Sequence, residues 1–267
     1  NLVTADTNQT TDVFVYDRAT GTTSRESVAS GGTEADGYSL EGRISADGLR
    51  VVFLSGATNL VPGDGNQQAD IFLRRRDLGT TTRLSVSATG AELTTAAIAP
   101  RIDAQGTVYF MSVDPALPHL GGDFDIYRAL VTSQGAADVS LVLSTIPTFG
   151  FPTQDGSPFE LAADGRSLRA YAVDSRLLRS ELPSGQATAL NIGLDGVADP
   201  AIQGGGGGIS ADGQFLSFTS FDIHRPSGSS GTAYIRQLRA PSCGSSEVIS
   251  VSRRFDRPNQ PLSVYGS

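Results

Sequence analysis

The stretch Ser45-Ala46-Asp47-Gly48-Leu49-Arg50-Val51-Val52-Phe53-Leu54-Ser55 decides the fold, because it joins a turn signal to an apolar run and then recurs. Asp-Gly ahead of such a run is the strongest short-range hairpin signal, since Gly tolerates the positive φ that a tight turn demands. Ser-Ala-Asp-Gly returns at 210–213, with Asp-Ala-Gln-Gly at 103–106 and Ala-Ala-Asp-Gly at 162–165 between, at spacings of 58, 59 and 48 residues. Each is followed by an apolar-rich run, such as Thr-Val-Tyr-Phe-Met-Ser after the second and Gln-Phe-Leu-Ser-Phe-Thr-Ser after the last. A period of this size marks a repeat architecture.

Working outward, each unit carries two more strand patterns. The third strand is Asp-Val-Phe-Val-Tyr (12–16), Asp-Ile-Phe-Leu-Arg (70–74), Asp-Ile-Tyr-Arg-Ala (125–129) and Ala-Tyr-Ile-Arg (233–236). The fourth is Ser-Arg-Glu-Ser-Val (24–28), Thr-Arg-Leu-Ser-Val (82–86), Val-Ser-Leu-Val-Leu (139–143) and Glu-Val-Ile-Ser-Val (247–251). No stretch places apolar residues at i, i+3, i+4 and i+7 over three turns, so the chain reads as all-β. Four antiparallel strands in repeated units of about 50 residues build a β-propeller.

The pattern Ser-Ala-Asp-Gly-x-x-Val-x-Phe-x-Ser, then Ala-Thr-Asn-Leu-Val-Pro-Gly-Asp-x-Asn, then Ala-Asp-Ile-Phe-Leu-Arg and Gly-Thr-Thr-Thr-Arg-Leu-Ser-Val resembles the TolB-type propeller repeat of bacterial envelope and secreted proteins. Residues 40–90 match closely, residues 1–39 match the second half of the repeat, and later units match at the Asp-Gly hairpin and strand pattern. The resemblance implies an extracytoplasmic, periplasmic or secreted protein with a protein-binding and usually non-catalytic role, and it carries over no catalytic residue. On this basis the chain is not expected to be an enzyme.

The repeat also sets boundaries. Asn1-Leu2-Val3 matches Asn59-Leu60-Val61, so the chain begins halfway through a unit, and Ile249–Ser252 with Asn259 and Pro261 matches the stretch that precedes a first strand. The expectation is one propeller domain over 1–267: an incomplete N-terminal blade at 1–39, then blades at about 40–97, 98–157, 158–203 and 204–267, at least five in all (five or six once closed). Asn1 is not a translation start, so a signal or anchor ahead of it stays open.

Composition narrows the function classes. The net charge is -8, the sequence pI is about 4.7, and all 20 basic residues are Arg. Such an acidic chain without a basic stripe is a poor partner for a nucleic-acid backbone. Arg74-Arg75-Arg76 is its only dense basic cluster, read as a solvated strand edge or a docking patch for an acidic partner. No run approaches the roughly 18 apolar residues of a membrane helix. Cys243 is alone and can form no intramolecular disulfide.

The sharpest chemical signal is a repeated D-x-N-x-x-x-D, at Asp6, Asn8 and Asp12 and again at Asp64, Asn66 and Asp70. Carboxylate and amide oxygens at alternate positions converge on a hard cation, as in EF-hand loops, which makes these six residues candidate Ca2+ ligands. They lack the downstream bidentate Glu of that loop. The competing reading is structural: Asx turns, with the last Asp accepting backbone N–H groups where the strand begins. No other cofactor is implied.

His119 and His224, the only histidines, fall in equivalent loops and read as surface residues. The Gly run at 204–208 enters an inner strand and lacks the strand-before, helix-after setting of a nucleotide loop. Binding is expected on the face carrying the long second-to-third loops and the crossovers, around 55–69, 112–124 and 220–232, with 87–99, 144–158 and 191–208. The functional expectation is a protein-binding or scaffold module, an accessory subunit of a cell-envelope or membrane-bound complex. Two alternatives stand beside it: a carbohydrate-binding propeller, which needs aromatic platforms that a chain with no Trp and 7 Tyr supplies sparingly, and a propeller-fold lyase or hydrolase, which needs His, Tyr, Arg and carboxylates converging over the channel.

Overall fold

The fold is taken from a computed structural model, which describes residues 2–4, 6–119, 124–131, 137–145, 159–162, 165–171, 177–182, 186–189, 204–205, 208–211, 214–220, 232–237 and 248–250. These residues form strands, turns and loops, with no helix among them. The chain divides into two compact units, 1–144 and 145–267.

In the first unit, β1 (Phe14–Asp17) and β2 (Thr22–Arg25) make a two-stranded sheet. A four-stranded antiparallel sheet follows, in the order β3 (Ser39–Ile44), β4 (Arg50–Ser55), β5 (Asp70–Arg75) and β6 (Thr80–Arg83). A second has β7 (Ala97–Ile102), β8 (Val108–Ser112), β9 (Phe124–Val131) and β10 (Ala137–Thr145). In the second unit the same sequential order gives β11 (Phe159–Leu161), β12 (Ser167–Tyr171), β13 (Leu177–Glu181) and β14 (Gln186–Ala189). Then come β15 (Gly204–Gly205), β16 (Phe215–Ser220), β17 (Thr232–Gln237) and β18 (Val248–Ser250). The all-β reading and its four-stranded antiparallel sheets hold.

The Asp-Gly hairpins close around a longer loop than a two-residue turn. Ser45 N–H donates to Arg50 C=O at 2.9 Å and Gly48 N–H to Ser45 C=O at 2.9 Å, so residues 46–49 form the loop between the paired Ser45 and Arg50. Asp47 Oδ1 accepts the Leu49 N–H at 2.9 Å, and Gly48 sits at φ 71°. The side chain thus holds the loop that the glycine permits.

Both faces of β4 are covered, which is why its sequence is continuously apolar rather than alternating. Val52 and Leu54 join Ile71, Leu84 and Phe110 in a core shared with the β7–β10 sheet. Val51 and Phe53 join Phe72, Leu60 and Val13 in a core shared with the β1–β2 sheet. Phe53 and Phe72 stack across β4 and β5 with centroids 5.8 Å apart, and Phe110 and Tyr127 repeat the pair at 5.7 Å across β8 and β9. A fully buried Phe is worth about 1.5–3 kcal/mol in transfer alone.

Candidate functional site

The two D-x-N-x-x-x-D loops fold alike, and each draws in two residues that the motif does not contain. In the first, Asp6, Asp12 and Glu34 bring one carboxylate oxygen each within 4.8 Å of one another. The Arg25 Nη1 stands among them, 3.5 Å from Asp6 Oδ1, 3.3 Å from Asp12 Oδ2 and in close contact with Glu34 Oε1. In the second, Asp64, Asp70 and Glu92 gather in the same way. There the Arg83 Nη1 lies 3.6 Å from Asp64 Oδ1, 3.5 Å from Asp70 Oδ2 and 2.6 Å from Glu92 Oε1. Every member of one cluster is displaced from its counterpart by 58 positions.

The asparagines shape the loops. Asn8 Oδ1 accepts the Thr10 N–H at 3.1 Å, while its Nδ2 donates to Asp12 Oδ2 at 3.2 Å and to Ala35 C=O at 2.9 Å. Asn66 repeats this on the Gln68 N–H at 2.7 Å, Asp70 Oδ2 at 3.3 Å and Leu93 C=O at 2.9 Å. Each amide turns its N–H groups, not its oxygen, toward the carboxylates. The residue after each Asn, Gln9 and Gln67, is left-handed at φ 59° and 57°. The last aspartates are anchored from below: Ser27 Oγ donates to Asp12 Oδ1 at 2.6 Å and Ser85 Oγ to Asp70 Oδ1 at 2.5 Å, and each Ser oxygen accepts the N–H of the next strand residue, Val13 or Ile71. This is the strand-start role for the last Asp that the motif itself suggests, relayed through a hydroxyl.

Electrostatics treats the aspartates of the second cluster and the glutamates of both differently. Burial pushes Asp64 up to about 6, reinforced by the Asp70 charge and opposed by the Arg83 guanidinium. Burial also raises Asp70, against its Ser85 hydrogen bond. Glu34 is drawn down to about 2 by the Thr7 hydroxyl and the Thr7 N–H. Glu92 is pushed up by burial, but the Gly65 N–H and Arg83 outweigh it and leave it below the usual range.

Arg25, Arg83, Glu34 and Glu92 escape the motif reading because they lie in the fourth strand and the crossover beyond it. Their signal was the period itself, since Arg and Glu recur at the same displacement as the motif. The third repeat departs: Asp125 lies buried at the start of β9, where the Tyr127 hydroxyl donates to its Oδ2 at 3.5 Å, and Asp123 lies outside the described residues. His119 is exposed; His224 and Cys243 lie outside the described residues, as do the loop at 221–231 and the matched residues Asn259 and Pro261. The arginine cluster is neither free nor fully solvated: Arg76 Nε donates to Glu26 Oε1 at 3.0 Å and Arg74 Nη1 to Thr81 Oγ1 at 3.3 Å, both half-buried. Beside the second cluster, residues 29–31, 58–64 and Thr81 line an open cleft of about 510 Å³ on the expected loop side.

No protein-family model and no curated protein matches the chain. Solved structures similar to it include prolyl endopeptidases, at 14% identity and TM-score 0.51 over 91% of this chain and 33% of theirs. They also include a putative TolB from Agrobacterium tumefaciens, at 13% identity and TM-score 0.45 over 85% of this chain and 69% of that one. The β-propeller domain of the Trilobed protease from Pyrococcus furiosus is similar at 11% identity and TM-score 0.44, over 79% of this chain and 57% of that one. At these identities the likeness is one of fold, a β-propeller. It corrects one expectation: prolyl endopeptidases share the architecture, so the propeller fold does not set the chain apart from enzymes, and the expectation of a non-enzyme does not stand.

Proposed function

We propose that the chain is a protein-binding, scaffold-type propeller of the bacterial cell envelope, serving a membrane-bound or periplasmic assembly. The supporting observation is a difference between equivalent inner strands. β7 is buried at Ala99, Pro100 and Arg101, where the β3–β6 sheet packs on it. β3 is exposed at Leu40, Glu41, Gly42 and Ile44, although it occupies the same place in its own sheet. A sheet face that is an interface in one repeat and open in the next is suited to holding a partner. The extracytoplasmic location rests on the TolB-type repeat pattern in the sequence.

In this reading the carboxylate clusters are fastenings. A guanidinium is the resident cation of each, and it ties the second-to-third loop to the fourth strand and the crossover. Calcium at Asp6, Asn8 and Asp12 or at Asp64, Asn66 and Asp70 would have to displace the arginine and turn the amide over. The test is a pull-down from native membranes with the tagged full-length protein, with and without a calcium chelator. A stoichiometric partner retained under chelation is expected. Absence of any partner in both conditions would overturn the binding reading, and loss on chelation would restore the metal.

A further inference from the structure

We propose that the open cleft beside the second cluster receives a lysine side chain of a protein partner, whose ammonium donates to the Asp64 and Glu92 carboxylates. This rests on the protein-binding reading above and names a site and the chemistry of the group it takes.

The two clusters differ by one donor. In the first, Thr7 gives Glu34 both its N–H, at 2.9 Å, and its hydroxyl. The residue 58 positions on is Gly65, which gives Glu92 an N–H at 2.9 Å and has no hydroxyl to add. A Cβ at Gly65 would meet nothing within 4 Å, so the place of the missing side chain lies open. Asp64 fares no better. Its side chain is 3% exposed, the Arg83 Nη1 stands off at 3.6 Å, and its hydrogen-bond neighbour is Glu92, an acceptor that raises it. Buried polar groups ordinarily have donors or acceptors to match, and a buried charge needs an opposite one. Here three carboxylates share one guanidinium, an excess of two negative charges when all are ionised.

The cleft gives access to that excess. Its volume is about 510 Å³, and Asp64 lines it with Val61 and Pro62 of the same loop and Ala29 and Ser30 of the preceding crossover. The hydroxyls in its wall are engaged within the fold: Ser30 Oγ accepts the Thr81 N–H at 2.9 Å, and Thr81 Oγ1 donates to Val28 C=O at 2.5 Å. Among the lining residues Asp64 alone is ionisable. A recessed carboxylate suits the compact ammonium of Lys on its flexible stem better than the broad planar fork of Arg. The stem can lie along Val61 and Pro62 while the head reaches the charge, as amphipathic side chains do. The chain's 267 residues include no Lys, and its net charge of -8 favours a basic partner.

The probe is Nα-acetyl-lysine methylamide, titrated into the full chain at fixed ionic strength while backbone amide shifts are followed by NMR. Its ε-acetylated form and the arginine analogue are the controls. Saturable shifts are expected at Gly63, Asp64 and Gly65. The ε-acetylated form should give none, and the arginine analogue should bind at least threefold more weakly. Gly65→Thr returns the hydroxyl that Thr7 supplies in the first cluster, so it should melt at or above the wild type and bind the probe at least tenfold more weakly. Gly31→Phe adds a ring at the cleft wall, where a Cβ meets nothing within 4 Å, and should weaken binding as much with melting unchanged.

Equal shifts from the ε-acetylated form, or from Na+ at matched ionic strength, would overturn the proposal, since neither brings the donors of an ammonium. Undiminished binding to Gly65→Thr or Gly31→Phe would overturn it too. Should the Gly31→Phe chain still capture the partner found in the pull-down, the binding reading survives and this cleft is removed from it. Probe binding by a chain that captures no partner would instead remove the protein source of the lysine, and the binding reading with it.

Discussion

The two arginine-centred clusters use the same residue types at the same displacement, yet burial bears on their aspartates unequally. The Asp64 side chain is 3% exposed and that of Asp6 is 17% exposed. The second cluster sits on β5, a central strand of a four-stranded sheet, and the first precedes β1 in a two-stranded one. In the deeper cluster burial is the first influence on Asp64, Asp70 and Glu92 and raises both aspartates, while Glu92 ends below its usual range, as does its counterpart Glu34 under the hydrogen bonds from Thr7. A repeated motif fixes which groups meet. The depth at which it sits decides how strongly burial opposes the charge of its aspartates.

The most severe way to break the comparison is to remove the cation. Arg83→Met leaves three converging carboxylates with nothing between them, one of them on the fully buried Asp70. Losing one partner of a buried ion pair costs about 3–5 kcal/mol. Thermal melting should show that loss for Arg83→Met and a smaller one for Arg25→Met, where Asp6 reaches solvent more easily than Asp64. Added Ca2+ should raise the melting temperature of Arg83→Met and leave the wild type unchanged. Equal losses in the two variants would mean that depth does not matter, and a Ca2+ shift in the wild type would return the loops to the metal reading.

A gentler break keeps the arginines. Asp70→Asn removes the charge that Ser85 and Arg83 address, and Asp12→Asn does the same for Ser27 and Arg25. Hydrogen bonds to charged groups are worth about 1.5–3 kcal/mol. Denaturant unfolding should place Asp12→Asn in that range. Asp70→Asn should fall below it, because burial already disfavours the Asp70 charge.

How much of this was legible beforehand depends on the residue. Asp-Gly followed by Val-Val-Phe-Leu shows turn and strand locally, and its recurrence gives the four-stranded sheets without any three-dimensional information. The carboxylate loops were visible too, as a spacing. What sits inside them was not, because Arg25 and Glu34 are 13 and 22 residues beyond Asp12 and meet it only when β2 and the crossover fold back. The exposure of β3 was equally hidden, since Leu40, Glu41 and Gly42 differ from Ile98, Ala99 and Pro100 less in sequence than in what packs on them.

Acidity separates two positions, because Asp64 and Glu34 should respond with opposite sign. Asp64 titrates near 3.8 when unfolded and at about 6 in the fold, so the native state holds more protons across that window. Stability from this group falls as pH rises from about 4 to 6, with the full penalty above it. Glu34 moves from 4.5 to about 2, so its contribution is complete above 4.5 and is lost as pH falls toward 2. Asp64→Asn should therefore be more stable than the wild type at pH 7 and match it near pH 4. Glu34→Gln should be less stable at pH 7 and match it near pH 2. Parallel pH profiles for the two variants would mean that burial does not raise Asp64 or that Thr7 does not hold Glu34 down.

The smallest effect isolates what the loops have in common. Gln9 and Gln67 are both left-handed, at φ 59° and 57°, a conformation that costs an L-residue roughly 1 kcal/mol and glycine almost nothing. Both side chains are exposed, so replacement by glycine sacrifices no packing. Glycine also gains entropy in the unfolded chain, which offsets part of the relief. Gln9→Gly and Gln67→Gly should each stabilise by a few tenths of a kcal/mol, equally, because the backbone turn set by Asn8 and Asn66 is the same whatever the depth of the carboxylates. Unequal shifts in the melting temperature would show that burial reaches the turn itself, and the two loops would then differ in backbone as well as in charge.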